Sequence, residues 1–100
     1  MSTGVIEKPD TQTQVKKAMP WVVIFHNDDK TTFDCVIEIL TGIFGKSFDE
    51  AYRLTLQIHE KGLAVVARES QEIAKTLQSE AVAYARQQGF PLKVTIERDD

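Results

Sequence analysis

The sequence predicts an α+β domain: a two-layer α/β sandwich with three helices on a three-stranded sheet, in the order β-α-α-β-α-β. Three observations lead there. Short runs rich in β-branched and aromatic residues, "WVVIF" (21–25), "LAVVA" (63–67) and "LKVTI" (92–96), alternate with stretches whose apolar residues recur at helical spacing. Each helical stretch closes on glycine or on a Gly-Phe-Pro stop. In the last run Leu92, Val94 and Ile96 alternate with Lys93, Thr95 and Glu97, the pattern of a sheet covered on one face and wet on the other. One hundred residues hold one such domain with one modest core.

Residues 1–19 read as a flexible N-terminal extension, because "TQTQ" and its surroundings are polar and without period. The core domain is expected over 20–100. The first strand runs into "HNDDKTT", and a helix follows with Phe33, Val36, Ile37, Leu40, Ile43 and Phe44 on one stripe. Thr31 or Thr32 caps it, and Gly45 stands just past its end. Ser47 and Glu50 have capping-box spacing, and they open a second helix with Phe48, Ala51, Tyr52, Thr55, Ile58 and His59 on its stripe. Gly62 stops it. After the second strand, Ser70 caps a third helix whose stripe is Ile73, Ala74, Leu77, Ala81, Tyr84 and Ala85. "GFP" at 89–91 ends that helix and leads into the last strand. The pattern leaves strand order open.

Bulk properties exclude several classes. A net charge of −3 argues against nucleic acid as the main partner, since phosphate binding needs a basic face. No apolar run approaches the roughly 20 residues that span a bilayer. The first 20 residues lack the apolar core of a secretory signal, and Glu7 and Asp10 make them a poor transit peptide. A cytoplasmic monomer without membrane contact is expected. Cys35, the single cysteine, sits among apolar residues and reads as a small buried hydrophobe.

The polar cluster His26-Asn27-Asp28-Asp29 at a strand end has two readings. It is an Asx-rich turn leading into a helix, or it is a set of acceptors for a cation such as an ammonium group. Metal binding is not expected: the cluster lacks the glycine and bidentate Glu of a calcium loop, and the chain holds too few His and Cys for zinc. Neither a nucleophile elbow nor a glycine-rich phosphate loop nor a cofactor fingerprint is present, so no enzyme and no cofactor is expected. His59, near the end of the second helix, is either a half-buried helix-end histidine or a ligand-orienting one. Phe33, Val36, Thr55 and Ile58 are either plain core or the walls of an apolar pocket. An apolar pocket beside an acceptor cluster would suit the first residue of a peptide.

Three ordered segments carry a resemblance to a known family. "VIFHNDDKTTFDCVIEIL" (23–40), "AYRLTLQIHEKGLAVV" (51–66) and "YARQQGFPLKVTIE" (84–97) are similar to the opening, central and closing segments of ClpS, the adaptor that delivers substrates to the ClpA unfoldase and ClpP peptidase. The resemblance covers about residues 20–98. It implies recognition of N-degrons, proteins whose first residue is Leu, Phe, Tyr or Trp. It further implies that Asn27, Asp28, Asp29 and His59 hold the α-amino group and first peptide bond. Thr31, Phe33, Val36, Thr55, Ile58 and Leu92 would form the side-chain pocket, with Thr31 supporting the loop, and Glu72 would contact the unfoldase. The arm would assist delivery.

The chain departs from the family pattern where Tyr-Thr-Pro-Met commonly follows Asn-Asp-Asp; here the residues are Lys30-Thr31-Thr32-Phe33. A usual Met is Thr55, and a common Lys on the docking surface is Leu77. The chain thus looks like a divergent second copy of the adaptor. Two rival readings are a structural or ribosome-associated interaction module of similar fold, and a small metal-assisted hydrolase using His26, Asp28, Asp29 and His59.

Overall fold

The computed structural model describes residues 20–99, so the arm expected at 1–19 lies outside the described residues. The elements are β1 (Trp21–His26), α1 (Phe33–Gly42), α2 (Phe48–Lys61), β2 (Leu63–Glu69), α3 (Gln71–Gln87) and β3 (Lys93–Arg98). The sheet has the order β2-β1-β3, with β1 central and antiparallel to both neighbours. The strands reach beyond their apolar runs because backbone pairing continues through polar residues: Trp21 lies opposite both Glu69 and Arg98. Val23 faces Ala67 and Ile24 faces Val65, so Val66 is an extra residue and β2 carries a bulge there.

Side-chain caps start all three helices. Thr32 Oγ1 accepts from Cys35 N at 3.1 Å, Ser47 Oγ from Glu50 N at 3.2 Å, and Ser70 Oγ from Ile73 N at 3.3 Å. The carboxylate of Glu50 pairs with Lys46 at 3.8 Å. α1 ends earlier than its stripe: Ile43 is its C-cap and Phe44 lies beyond it. Both still pack on the core, and Phe44 meets Phe25 edge to face with centroids 5.4 Å apart.

The core lies between the sheet and the helices. Val23 and Phe25 of β1, Ala64 and Val66 of β2, and Leu92 and Val94 meet Val36, Ile39 and Leu40 of α1, Ala51 and Ile58 of α2, and three alanines of α3. Val22 and Ile24 point to the other side of β1 and are buried as well, each between two cross-strand partners.

Two stripes are narrower than their periodicity predicts. In α3 only Ala74, Ala81 and Ala85 are fully buried; Ile73 is exposed and Leu77 half-buried on the flank of that line. In α2 the buried line is Ala51, Thr55 and Ile58. Phe48, Tyr52 and His59 form an adjoining ridge, roughly 70° round the helix, and all three are exposed. The Phe48 and Tyr52 rings stack there at 6.2 Å and 15°.

Candidate functional site

The site forms where β1 hands over to α1, beside the end of α2. His26 closes β1 with its ring turned across the sheet, Nε2 lying 2.8 Å from Thr95 Oγ1. Asn27 N then donates to Gly62 O at 2.9 Å. Gly62 is the left-handed C-cap of α2, with φ of 93°. This bond ties the polar loop to the helix end that carries His59, three residues earlier.

Asp28 organises the loop from inside. Its Oδ1 accepts from Lys30 N at 2.8 Å and Thr31 N at 2.7 Å, and its Oδ2 accepts from Thr31 Oγ1 at 2.8 Å. Burial alone would push the Asp28 carboxyl up. The bonds from Thr31 and Lys30, together with the positive charge of Arg86, outweigh burial and hold it below the usual carboxylate range. A carboxylate has about four acceptor positions, so one remains on Oδ2. The sequence reading of an Asx-rich turn and that of an acceptor cluster are therefore compatible at this residue. The neighbouring Asn27 and Asp29 are exposed.

α1 begins with Phe33 beside His59. The two rings meet edge to face, with centroids 5.4 Å apart and planes at 71°. Between α1, α2 and the loop lies a cavity of about 440 Å³, lined by residues 27–33 together with Val36, Thr55, Ile58 and His59. This volume falls within the ordinary range of ligand sites. Its base is apolar and buried: Val36, Thr55 and Ile58 are at most 5% exposed. Thr55 joins the apolar base because its hydroxyl donates to Ala51 O at 2.7 Å, within its own helix. The rim carries the exposed acceptors Asn27, Asp29 and His59. Chemically the arrangement offers charged and neutral acceptors around an apolar hollow.

The structure thus brings together Asn27, Asp28, Asp29, His59, Thr31, Phe33, Val36, Thr55 and Ile58. Leu92 is a correction. It does not line the cavity; it is 1% exposed and packed in the core beside Val94, two residues on and facing the same way. Glu72 stands apart, exposed in the first turn of α3 beside the exposed Ile73. Lys30 and Thr32, marked in the sequence as departures from the family pattern, also line the cavity. His26 is held across the sheet at Thr95 and lines no part of this cavity, which separates it from the other groups of the hydrolase reading. Cys35 is buried, and burial first, then the charges of Glu38 and Asp28, push its thiol up. Among the described residues, no group of three or more His, Cys, Asp or Glu side chains is placed to hold a metal ion, and no helix is long and apolar enough to cross a membrane.

The comparisons with known proteins agree with one another. A family model described as "ATP-dependent Clp protease adaptor protein ClpS" matches residues 16–95. The chain is 36% identical over 98 residues to the "ATP-dependent Clp protease adapter protein ClpS" of Desulforapulum autotrophicum, covering 96% of this chain and 94% of that one. The protein of the same description from Rhodospirillum centenum is also 36% identical over 98 residues, covering 98% of this chain and 89% of that one. The structure of Agrobacterium tumefaciens ClpS2 bound to L-phenylalaninamide superposes with a TM-score of 0.78 at 33% identity, covering 81% of this chain and 98% of that one. With a family model, full-length relatives and a solved fold matched together, this chain belongs to the ClpS family of Clp protease adaptors.

Proposed function

We propose that residues 20–100 form an N-degron-binding core: it captures proteins that begin with Leu, Phe, Tyr or Trp and passes them to a ClpA-type unfoldase for degradation by ClpP. It does so as a cytoplasmic, non-enzymatic monomer. The observation that carries this reading is one cavity with acceptors on its rim and apolar residues at its base. The free α-ammonium group of a peptide meets Asn27, Asp28, Asp29 and His59 in charge-assisted hydrogen bonds. The first side chain descends against Val36, Thr55 and Ile58, where its burial contributes roughly 1.5–3 kcal/mol. Thr31 braces the loop, and Phe33 stands at the entrance beside His59.

L-Phenylalaninamide, the ligand of the Agrobacterium relative, supports the reading by its chemistry. It carries a free α-amine, a benzyl side chain and a carboxamide, the groups of an N-terminal phenylalanine. Glu72, with Ile73 and Leu77 exposed or half-buried nearby, is the proposed contact for the unfoldase.

Fluorescence anisotropy with short labelled peptides tests the proposal. Phe- and Leu-initiated peptides bind, the Ala-initiated peptide binds far more weakly, and acetylation of the α-amine abolishes binding because it removes charge and donors together. Equal binding of all three, or indifference to acetylation, overturns it.

A further inference from the structure

A second cavity, of about 430 Å³, adjoins the first. It is lined by Lys30, Arg86, Gly89, Phe90 and Pro91, and Lys30 is also part of the first cavity's lining. The two hollows therefore share one lysine as a partition, and they differ in polarity. The first has Asp28 and Asp29 among its walls; the second has two cations and no carboxylate.

The local fold holds this second hollow in shape. Gly89 turns the chain with φ of 87° after α3, Gly89 N donates to Arg86 O and Phe90 N to Ala85 O, both at 2.9 Å. Arg86 then closes the loop on itself: its Nη1 donates to Phe90 O at 3.0 Å and to Leu92 O at 3.3 Å. Those two bonds fix the guanidinium. The other three of its five N–H donors make no hydrogen bond to a described residue. Lys30 Nζ likewise has no carboxylate partner among the described residues. Arg86 is close enough to Asp28 to lower its pKa, so the anionic and cationic hollows lie within electrostatic reach of each other.

We propose that Lys30 and Arg86 form a subsite for an acidic side chain at the second or third residue of a bound peptide. This rests on the N-degron reading above. Lys30 follows Asp29 in the chain and lines both hollows, and an extended peptide advances about 3.3 Å per residue, so Lys30 lies within reach of the second or third residue of a chain whose amine sits against Asp28 and Asp29. A carboxylate there meets the Lys30 ammonium and the free edge of the Arg86 guanidinium, the planar fork that matches a carboxylate. The site thus selects on two charges of opposite sign, the terminal amine in one hollow and an acid in the next.

The test uses C-terminally amidated peptides of equal length, so that no terminal carboxylate imitates the side chain. Each begins with Phe and carries Ala, Glu or Lys at the second or third position. At low ionic strength the Glu peptide binds about two- to fivefold more tightly than the Ala peptide at one of the two positions, the range of a solvent-exposed ion pair. The Lys peptide binds more weakly than either, and the spread narrows as salt is raised. Lys30→Glu reverses the Glu-to-Lys ratio, a readout within one variant that does not depend on its overall stability. Equal binding of Ala, Glu and Lys peptides at both positions, with acetylation still abolishing binding, overturns the subsite and leaves the N-degron reading standing. A wild-type preference that Lys30→Glu fails to reverse also overturns it. Indifference of every peptide to acetylation overturns both readings at once.

Discussion

Phe33 and His59 meet edge to face, centroids 5.4 Å apart, and so join the first residue of α1 to the last turn of α2 across the cavity. The contact places a flat apolar ring against one of the rim acceptors. An edge-to-face pair contributes about 0.5–1.5 kcal/mol. Phe33→Ala frees the imidazole and weakens binding of a Phe-initiated peptide about two- to tenfold by anisotropy. Unchanged affinity would mean that the ring pair does not orient His59.

Thr55 is buried at the base of the cavity with its hydroxyl satisfied by Ala51 O. Thr55→Met replaces a short side chain with a long flexible one in the same space. Affinity for a Trp-initiated peptide falls more than affinity for a Leu-initiated one, because the larger ring loses the volume first. A matched series of Leu, Phe and Trp peptides reads the change as a ratio, and an unaltered ratio refutes the assignment of Thr55 to size selection.

Asp28 makes the loop acid-sensitive. Its carboxyl titrates below the ordinary value in the folded chain. Its stabilising contribution is therefore complete above the unfolded value of about 3.9 and disappears as pH falls through the lower folded one. Melting curves of wild type and Asp28→Asn should differ at neutral pH, wild type being the more stable, and converge in acid. Parallel curves from pH 7 to pH 2 would show that the three bonds to Asp28 add no stability.

Gly62 holds φ of 93°, and its carbonyl accepts from Asn27 N. A Cβ at this position would meet no atom within 4 Å, so the cost of Gly62→Ala is conformational. That cost is about 1–2 kcal/mol, and Tm drops by about 4–8 °C for each kcal/mol in a domain of this size. Peptide affinity falls with it, since the loop is anchored on this residue. Differential scanning calorimetry and anisotropy on the same preparation check both parts.

Much of the fold was legible because its punctuation is local. Thr32, Ser47 and Ser70 cap helices through their own side chains, and Gly62 and Gly89 take the left-handed turns that end two of them. Each of these acts on residues a few positions away, so sequence spacing is enough to read it. Strand order was not legible, since β1 pairs with partners about 40 and 70 positions downstream. Nor was the depth of a residue within a stripe. Periodicity gives a helix face, but whether Ala74 or Ile73 reaches the sheet depends on how closely the helix approaches.

The candidate site divides in the same way. Asn27, Asp28 and Asp29 drew notice as part of one polar cluster because they are consecutive in the chain, and the loop they open runs on to Thr32. His59 and Thr55 stood out by composition on their helix, although only folding brings them to the loop. Leu92 drew notice through the resemblance of its segment, and it lies in the core because it precedes β3 on the same inward-facing side as Val94, while Lys93 between them faces out. Arg86 sits on α3 in a segment quoted only for its likeness to the family, and its charge reaches Asp28 through the tertiary fold alone. No local spacing announces such a pairing.

The central position of β1 also bears on how the molecule is made. β1 is synthesised before the other strands, yet one of its two partners, β3, is synthesised last, with Trp21 opposite Arg98. The sheet stays incomplete until nearly the whole described chain has left the ribosome. Such distant pairings slow folding relative to a helical bundle of equal length. The loop that follows β1 shares this delay, because it hangs from the strand that is closed last. A chain truncated before β3 is therefore expected to bind a Phe-initiated peptide more weakly than one that includes it, which anisotropy on the two chains would show; equal affinity would separate the loop from the closing of the sheet.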